Sequence, residues 1–464
     1  MHFNSMMKKN KETMPMNKGA KTMRKRFSIS IHLTITTLLL LSTVWGQSYF
    51  NSNLLGRSYQ GNARAMALGH VGTTESFGMT NLFTNPALLA DGPGLRLEGG
   101  FNSAHRMESR SYPMMDQFED VVTENIYNIT ESWQTNYNGG GVWSNGTLAV
   151  GAGMAPYWSP FFRYREDVRG NLSASNFNRD PLVGTFQLDR SGLVNETVFG
   201  MSAQLRKFHF GVSVGLLSGG NLNTVKGTTV LRPDAALDTD TTNVTTYGYE
   251  LDKATMVYRL GVSFDMTKRI RLAWNTESSA EMTFKSVTEV PFMDPSAALP
   301  GYLISDTTMT IKQTQPSRMT LGVRLQPTNL LRTKAYFEVE FIDWSQFKIA
   351  YPDSISGQGE LTSPLSQSIT LRGGVEHELF NGMPIRAGLI YAGSPLAKNL
   401  AQTWITFGSG YQYGNLIIDV AGEFGNVIYT YPDLFVVAGQ THQDDETIHE
   451  STTKFALTLA YVFK

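Results

Sequence analysis

Apolar and polar residues alternate along most of the chain, in short segments that turn residues separate. In the segment 208–216, Phe208, Phe210 and Val212 fall on one face, while His209 and Ser213 fall on the other. The same alternation recurs in the segments 148–154, 258–265, 270–275, 319–326, 337–342, 369–376, 385–391 and 416–424. A period of two residues predicts β-strands with one apolar and one polar face. We therefore expect an all-β protein.

The pattern alone leaves two architectures open. In a soluble sandwich the apolar face of each strand points into a core, whereas in a transmembrane barrel it points to lipid and the polar face lines the lumen. The last strand favours a barrel, because bacterial barrels typically close with an aromatic C-terminal strand. Its apolar face is Phe455, Leu457, Leu459, Tyr461 and Phe463, and one residue, Lys464, follows. Aromatic residues at predicted strand ends suggest membrane-interface girdles, and they are Trp143, Tyr157, Trp158, Tyr336, Trp344, Trp404 and Tyr411.

Composition supports a membrane barrel. Charged residues make up 17% of the 464 residues, below the roughly 25% of soluble globular chains. No apolar run in the body of the chain approaches the ~20 residues of a membrane-spanning helix. Because lipid cannot satisfy the open edge of a sheet, a membrane protein without such helices must be a closed barrel. The chain has no Cys, which excludes disulfides, thiolate metal sites, a thiol nucleophile and a lipidated N-terminal Cys.

The first 46 residues are typical of a secretory signal peptide. An apolar stretch, Ile29–Val44, precedes a predicted cleavage between Gly46 and Gln47, and Met23 is an alternative start. The basic residues before the apolar stretch are Lys18, Lys21, Arg24, Lys25 and Arg26. An uncleaved membrane anchor is the alternative. The segment holds eight Lys or Arg and one Glu, so the remainder has 31 basic and 39 acidic side chains and a net charge of −8. No basic stripe remains to suggest a nucleic-acid partner.

The connections between strands are of two predicted kinds. Tight turns fall at Lys207 and Asn381–Gly382, and long polar loops are expected at 105–138, 218–246, 290–307, 350–366 and 430–452. Short turns at one end and long loops at the other are usual in single-chain barrels. Residues 47–93 do not alternate and are rich in Gly and Asn. We therefore predict an N-terminal hatch at 47–93, lying inside a barrel formed by residues 94–464.

Several motifs together resemble the FadL-type long-chain fatty acid transporters. Residues 61–69 (GNARAMALG) and 85–90 (NPALLA) are similar to that family's N-terminal signature, with its Asn-Pro-Ala motif. Residues 316–325 and 336–347, ending in Asp-Trp-Ser-Gln-Phe, are similar to its paired strands that end in Trp-Ser-x-Phe. Residues 385–388 and 394–396 resemble its R-x-G and S-P segment. The resemblance covers residue 56 to the C-terminus.

The resemblance implies a transmembrane antiparallel barrel of about 14 strands with an N-terminal plug. Such a protein takes up hydrophobic compounds passively, captures them in an apolar lumenal pocket and releases them sideways into the bacterial outer membrane. The same broad family includes hydrocarbon channels and the PorV-like component of type IX secretion. Three functions therefore stay open: uptake of fatty acids or hydrocarbons, binding of exported protein domains, and a non-specific porin.

The resemblance also gives candidate site residues. Asn85, Pro86 and Ala87 are a candidate hatch hinge, with an ordinary Asn-Pro turn as the alternative. The candidate pocket residues, which could equally be the packing of the hatch itself, are Phe50, Leu54, Leu55, Phe77, Leu82 and Phe83. The candidate lateral exit, where proline would interrupt the ladder, is Gly151, Gly153, Pro156 and Pro160.

A carboxylate head group would require a basic partner. Candidate cations on the polar strand faces are Arg259, Arg271, Arg324, Arg372 and Arg386. The structural alternative is an Arg–Glu ladder that fills the barrel, with Glu338, Glu340, Glu376 and Glu423 as partners. Glu338 and Glu340 share a strand face and could suggest a glycosidase pair. Nothing else points to an enzyme, and we expect no cofactor and no metal. The expected partners are a hydrophobic small molecule, outer-membrane lipids and the barrel assembly machinery, with the protein acting as a monomer.

Overall fold

The computed structural model describes residues 57–463 except 119, 171–180, 234–236, 238–240, 287–289, 294–302, 308–309, 328–331, 351–360, 363–364, 396–399 and 436–444. All of them belong to one compact unit, Trp45–Lys464. The predicted signal peptide lies outside the described residues. No helix in the described part of the chain is long and apolar enough to cross a membrane.

Strands form most of this unit. They are β1 Gly94–Met115, β2 Val121–Ser144, β3 Leu148–Trp158, β4 Phe162–Arg169, β5 Leu182–Leu205, β6 Phe208–Val230, β7 Asn243–Leu251, β8 Thr255–Asp265, β9 Ile270–Glu277, β10 Ala280–Ser286, β11 Val290–Met293, β12 Leu303–Thr307, β13 Thr310–Gln315, β14 Arg318–Leu325, β15 Arg332–Ile342, β16 Lys348–Ala350, β17 Leu361–Thr362, β18 Ser368–Glu378, β19 Pro384–Ala392, β20 Gln402–Tyr413, β21 Leu416–Pro432 and β22 Asp445–Phe463. The helices are α1 Ala63–Ala67 and 3₁₀ helices at Gly78–Leu82, Pro86–Ala90 and Trp344–Gln346.

The strands close into an antiparallel barrel of 14 strands, as predicted. The ladder runs in the order β1, β2, β3, β5, β6, β8, β9, β14, β15, β18, β19, β20, β21 and β22. The C-terminal strand β22 then pairs with β1, from Leu95 opposite Phe463 to Ser111 opposite Thr447. Beyond bends in these strands, the wall continues on one side of the molecule. The strands that form this continuation are β4, β7, β10, β13, β16 and β17.

Burial decides which face of each strand meets lipid. On β6 the apolar residues Phe208 and Phe210 are 46% and 44% exposed, whereas His209 is fully buried. The same inversion appears on β22, where Tyr461 is exposed and Thr458 is buried. Apolar side chains on the outside and polar side chains on the inside are the arrangement of a transmembrane barrel. A soluble sandwich is excluded.

Three predicted long loops are wrong in extent. β1 and β2 leave only residues 116–120 between them, β6 continues to Val230, and β22 already begins at Asp445. The hydrogen-bonded ladder therefore continues past the point where hydrophobic alternation ends. Alternation marks the membrane-facing part of a strand, because beyond lipid both faces can be polar.

The predicted aromatic girdle is only partly correct. Trp143 and Tyr411 are exposed on the outside, but Tyr157, Trp158 and Trp344 are buried within the structure, and so is Tyr336. A count of aromatic residues at strand ends cannot separate these cases, since side-chain direction depends on the bends and bulges of the strands.

Candidate functional site

Residues 57–93, called here the N-terminal segment, pack against inward-facing residues of the barrel strands. Helix α1 contacts β20, β21 and β22, and the 3₁₀ helix Pro86–Ala90 contacts β5, β6 and β8. Asn62 begins α1, with its side-chain oxygen accepting from the Ala65 amide at 2.9 Å, as N-cap residues do. Most residues of the segment are buried.

The Asn-Pro-Ala turn is held by the side chain of Asn85, which is fully buried. Its amide donates to the carbonyl of Thr73 at 2.7 Å, and its oxygen accepts from the Ala87 amide at 3.1 Å. Pro86 occupies the first position of the 3₁₀ helix, where the missing amide hydrogen costs no bond. The side chain of Asn85 therefore joins the turn to Thr73 and has hydrogen bonds for both its amide and its oxygen within the N-terminal segment.

Inward-facing glycines let the N-terminal segment approach the wall. A Cβ atom on Gly261 would lie 3.1 Å from the Ala87 amide nitrogen, and one on Gly211 would overlap the backbone of Pro86 and Ala87. Other wall glycines that face this segment are Gly140, Gly151, Gly153, Gly200, Gly322, Gly374, Gly388 and Gly408. Glycine lets the segment's backbone approach the wall at Gly211, Gly261, Gly374 and Gly388, and it makes room for the segment's side chains at the others.

Ion pairs attach the N-terminal segment to the wall at several strands. The pairs are Arg57–Glu277 (2.8 Å), Arg64–Glu376 (2.8 Å), Glu75–Arg324 (3.0 Å), Glu75–Lys334 (3.0 Å) and Asp91–Arg271, and the His70 ring forms a hydrogen bond with Glu423. In addition, the carboxylate of Glu338 accepts from the Thr73 amide at 2.7 Å. Because these side chains are largely buried, loss of one partner would leave a buried charge less well compensated.

The anchor at Glu75 should depend on pH. Burial raises the pKa of Glu75, but Arg64, Lys334 and Arg324 outweigh it, so the pKa lies below the ordinary value of 4.5. A carboxyl with a lowered pKa stabilises the folded state above the unfolded pKa and loses this contribution as the pH falls through the folded pKa. We expect the thermal unfolding midpoint of the wild-type protein to fall from pH 6 to pH 3 more than that of Glu75→Gln. If calorimetry shows the same decrease in unfolding midpoint for the wild type and Glu75→Gln, this prediction is wrong.

A cavity of about 300 Å³ lies between the N-terminal segment and the wall. Of the predicted pocket residues that the structure describes, Phe83 lines it. Phe77 instead packs with Ala65, Leu68, Val71 and Tyr336, and Leu82 packs with Met79, Phe83, Leu89, Ala90, Val142, Ala149, Ala155 and Val198. Phe50, Leu54 and Leu55 lie outside the described residues. The cavity is mainly polar, since Glu277, Glu340, Arg372 and Lys454 also line it.

The candidate head-group arginines all have carboxylate partners. The pairs are Arg259 with Glu196 (2.9 Å) and Glu277 (2.8 Å), Arg271 with Asp265 (2.6 Å), Arg324 with Glu75 (3.0 Å), Arg372 with Glu340 (2.7 Å), and Arg386 with Glu376 (2.7 Å) and Asp419 (2.6 Å). Arg372 is the one of these that lines the cavity described above. The pairing is what an Arg–carboxylate ladder requires.

The candidate exit residues lie along β3 and just beyond it. Gly151 and Gly153 sit in the paired part of the strand, against Leu82 and Met79 of the N-terminal segment. Pro156 lies at a shift in the register between β3 and β5, and Pro160 lies between β3 and β4. Proline lacks the amide hydrogen that a ladder needs, which accounts for both irregularities.

An apolar cluster next to this bend was missed in the sequence. It consists of Tyr157, Trp158, Val194, Leu217, Leu222, Val257, Ala280, Met282 and Phe284, and we call it the bend cluster. The available signal was the pair Tyr157–Trp158 beside two prolines, which the girdle interpretation assigned to the outer surface. The N-terminal segment reaches the cluster, because Arg57 forms an isolated bridge with Trp158 and the Ser58 amide donates to the Tyr157 carbonyl at 3.0 Å.

Within the described residues, no three His, Asp or Glu side chains are grouped closely enough to hold a metal ion.

No protein-family model and no curated protein matches the sequence. Solved structures do match it. A FadL homologue of Pseudomonas aeruginosa aligns at a TM-score of 0.60 and 14% identity, covering 88% of this chain and 99% of the other. The toluene transporter TodX of P. putida aligns at 0.58 and 16%, covering 88% and 99%. The toluene transporter TbuX of Ralstonia pickettii aligns at 0.52 and 15%, covering 87% and 99%.

The chain has the FadL-type fold. The alignments extend over nearly the whole of each solved chain, so the likeness is to the complete barrel and not to a group of strands. At these identities it is a likeness of fold, and it confirms the fold that the motifs implied.

Proposed function

We propose that this protein is an outer-membrane channel for passive uptake of hydrophobic compounds, which the bend cluster captures and a gap in the wall releases sideways. The observation that carries the proposal is that the ladder between β2 and β3 ends early. β2 pairs with β3 only from Ser144–Ala149 to Gly139–Met154. The rest of β2 continues in its ladder with β1 as far as Val121, while β4 pairs with β5.

The gap and the bend cluster adjoin each other. Beyond Met154 the chain passes Pro156 and enters the cluster at Tyr157 and Trp158, which are 1% and 5% exposed. A hydrophobic molecule in this region would meet apolar side chains, and burial of each CH₂ group contributes about 0.8 kcal/mol before the costs of association. This supports capture beside a sideways exit.

The N-terminal segment is suited to act as a hatch. Its contacts at Arg57 and Ser58 join it to the strand that bends beside the gap. A ligand that moves Tyr157 or Trp158 would therefore act on the segment directly. The buried segment also speaks against an open, non-specific porin, and the apolar cluster inside the wall favours uptake over the binding of exported protein domains.

A brominated alkane tests the proposal. Bromine quenches indole fluorescence at contact, so 1-bromododecane should quench the purified wild-type protein, and Trp158→Phe should remove most of the saturable quenching. Trp143 is 49% exposed on the outer face, so Trp143→Phe is the matched control and should retain that quenching. Saturable quenching that survives in Trp158→Phe would refute capture at the bend cluster. Co-purification of an exported protein, seen by native mass spectrometry without any alkane or fatty acid, would support the secretion alternative.

A further inference from the structure

A second set of breaks in the wall lies between residues 277 and 368. Four neighbouring strands are interrupted there at the same level. The breaks fall between β9 and β10, β13 and β14, β15 and β16, and β17 and β18. The β14–β15 ladder ends at Arg318–Ile342, and the β13–β16 ladder resumes only at Thr314–Lys348. The wall is thus interrupted by residues 343–347, which contain the Trp-Ser-Gln-Phe motif.

At this interruption, which we call the seal, side-chain contacts join the strands where ladder hydrogen bonds are missing. The Trp344 indole donates to Ser368 Oγ at 2.9 Å, and the Ser317 amide donates to the Gln346 side-chain oxygen at 3.2 Å. Trp344 and Phe347 are buried with Ile342 and Leu365. Side-chain contacts can separate without loss of ladder hydrogen bonds. The wall should therefore open more easily here than where a ladder joins the strands.

Spaces lie on both sides of the seal, and Arg318 lines both. On one side is the 300 Å³ cavity at the N-terminal segment. On the other is a cleft of about 260 Å³, lined among others by Gln367 and by Met319 and Phe341 of the outer apolar face. Met319 and Phe341 are 38% and 37% exposed.

Arg318 is held less closely by a carboxylate than the arginines considered above. Its buried Nε has no hydrogen-bond partner among the described residues, and its distance to Glu277 is 4.0 Å. The Nε of Arg324 also lacks a partner within the described part of the chain, but another nitrogen of that guanidinium donates to Glu75 at 3.0 Å. Glu277 is already bound by Arg57 and Arg259. A buried guanidinium with an unused donor is a site for an anion.

The position of the cleft suits an amphiphile. Beyond the break, Lys312 and Glu281 form an exposed ion pair of 3.2 Å, which indicates the polar side of the membrane boundary. On the near side, the outer face is apolar. A molecule with its acid group at Arg318 could therefore lay its chain along Met319 and Phe341, as a lipid is oriented in its leaflet.

We propose that this interruption is a second lateral port, and that Arg318 there binds the carboxylate of a long-chain amphiphile. This rests on the proposed uptake function and adds to it a second place in the wall at which an acidic amphiphile passes. The Trp-Ser-Gln-Phe segment is the gate, and Arg318 is the binding residue that connects the outer cleft to the inner cavity.

The test compares laurate with dodecanol, which has the same chain without the charge. In the full-length protein in mild detergent, Arg318→Gln should weaken laurate binding roughly tenfold or more, while dodecanol binding changes little. Arg332→Gln is the matched control, because Arg332 is 76% exposed and pairs with Glu378 at a turn end of β15. An equal loss for both ligands, or no loss for laurate, would overturn the proposal.

A second measurement locates the site without removing Arg318. Because the chain has no Cys, Gln367→Cys places a single thiol at the exposed edge of the cleft. Laurate should slow its reaction with a maleimide, and dodecanol should slow it much less. Protection that is equal for both, or absent, contradicts a carboxylate site. Quenching of Trp158 by 1-bromododecane is measured in the same variants. If that quenching persists while the laurate results fail, the second port is refuted and the uptake proposal stands.

Discussion

Valine in place of Gly211 is expected to open the barrel. The new side chain would overlap the backbone of Pro86 and Ala87, so either β6 or the Asn-Pro-Ala turn must move. Overpacking typically costs about 1–3 kcal/mol, and ~2 kcal/mol changes the ratio of two states by a factor of roughly 30. We expect the N-terminal segment to leave its place far more often, and single-channel conductance in planar bilayers to rise accordingly.

The control is Gly99→Val. A Cβ at Gly99 would meet nothing within 4 Å, so this variant has the same added volume without the collision. It should conduct as the wild type does. If Gly211→Val conducts no more than Gly99→Val while both fold, the N-terminal segment does not close the channel.

Removing Arg259 should be the most destabilising of the arginine substitutions. Arg259 is 1% exposed and bonds both Glu196, which is fully buried, and Glu277. Arg259→Met keeps an apolar stem but takes both guanidinium bonds from Glu196, which keeps the hydrogen bond from the Gln60 amide at 2.7 Å. Breaking a buried ion pair costs about 3–5 kcal/mol. We expect a clear drop in the urea concentration at which the folded barrel unfolds.

Arg332→Met is the comparison for that experiment. Its ion pair with Glu378 is similarly short at 2.7 Å, but the arginine is 76% exposed, and exposed pairs contribute little. Its unfolding midpoint should stay close to that of the wild type. A midpoint for Arg259→Met that also stays there would mean that Glu196 finds water or another partner in the lumen.

Sequence motifs indicated some residues of the candidate site, but not the contacts that hold them. Asn85-Pro86-Ala87 was found by resemblance, and the structure places it against the wall. The ion partners of Arg259, Arg324, Arg372 and Arg386 could be named only as a class, because each pair joins residues that are distant in sequence or on different strands. The bend cluster was missed, and its residues Tyr157 and Trp158 were assigned to the outer surface, since the bulge at Pro156 changes the side-chain directions beyond it.

The pattern of alternating residues determined the membrane-facing parts of the strands, including the closing strand, and showed that each has one apolar and one polar face. It could do so because side chains of a strand point alternately to opposite faces, a local property of the backbone that any window of sequence records. The tertiary structure alone decided that the apolar face points outward, why glycines recur on the inner face, where the ladders stop and which arginine donors, such as the Nε atoms of Arg318 and Arg324, lack a partner among the described residues. Those features depend on pairing and register between strands. Arg318 lies opposite Glu277 only when β9 and β14 pair in register, and Gly211 meets Pro86 only when the N-terminal segment lies against the wall.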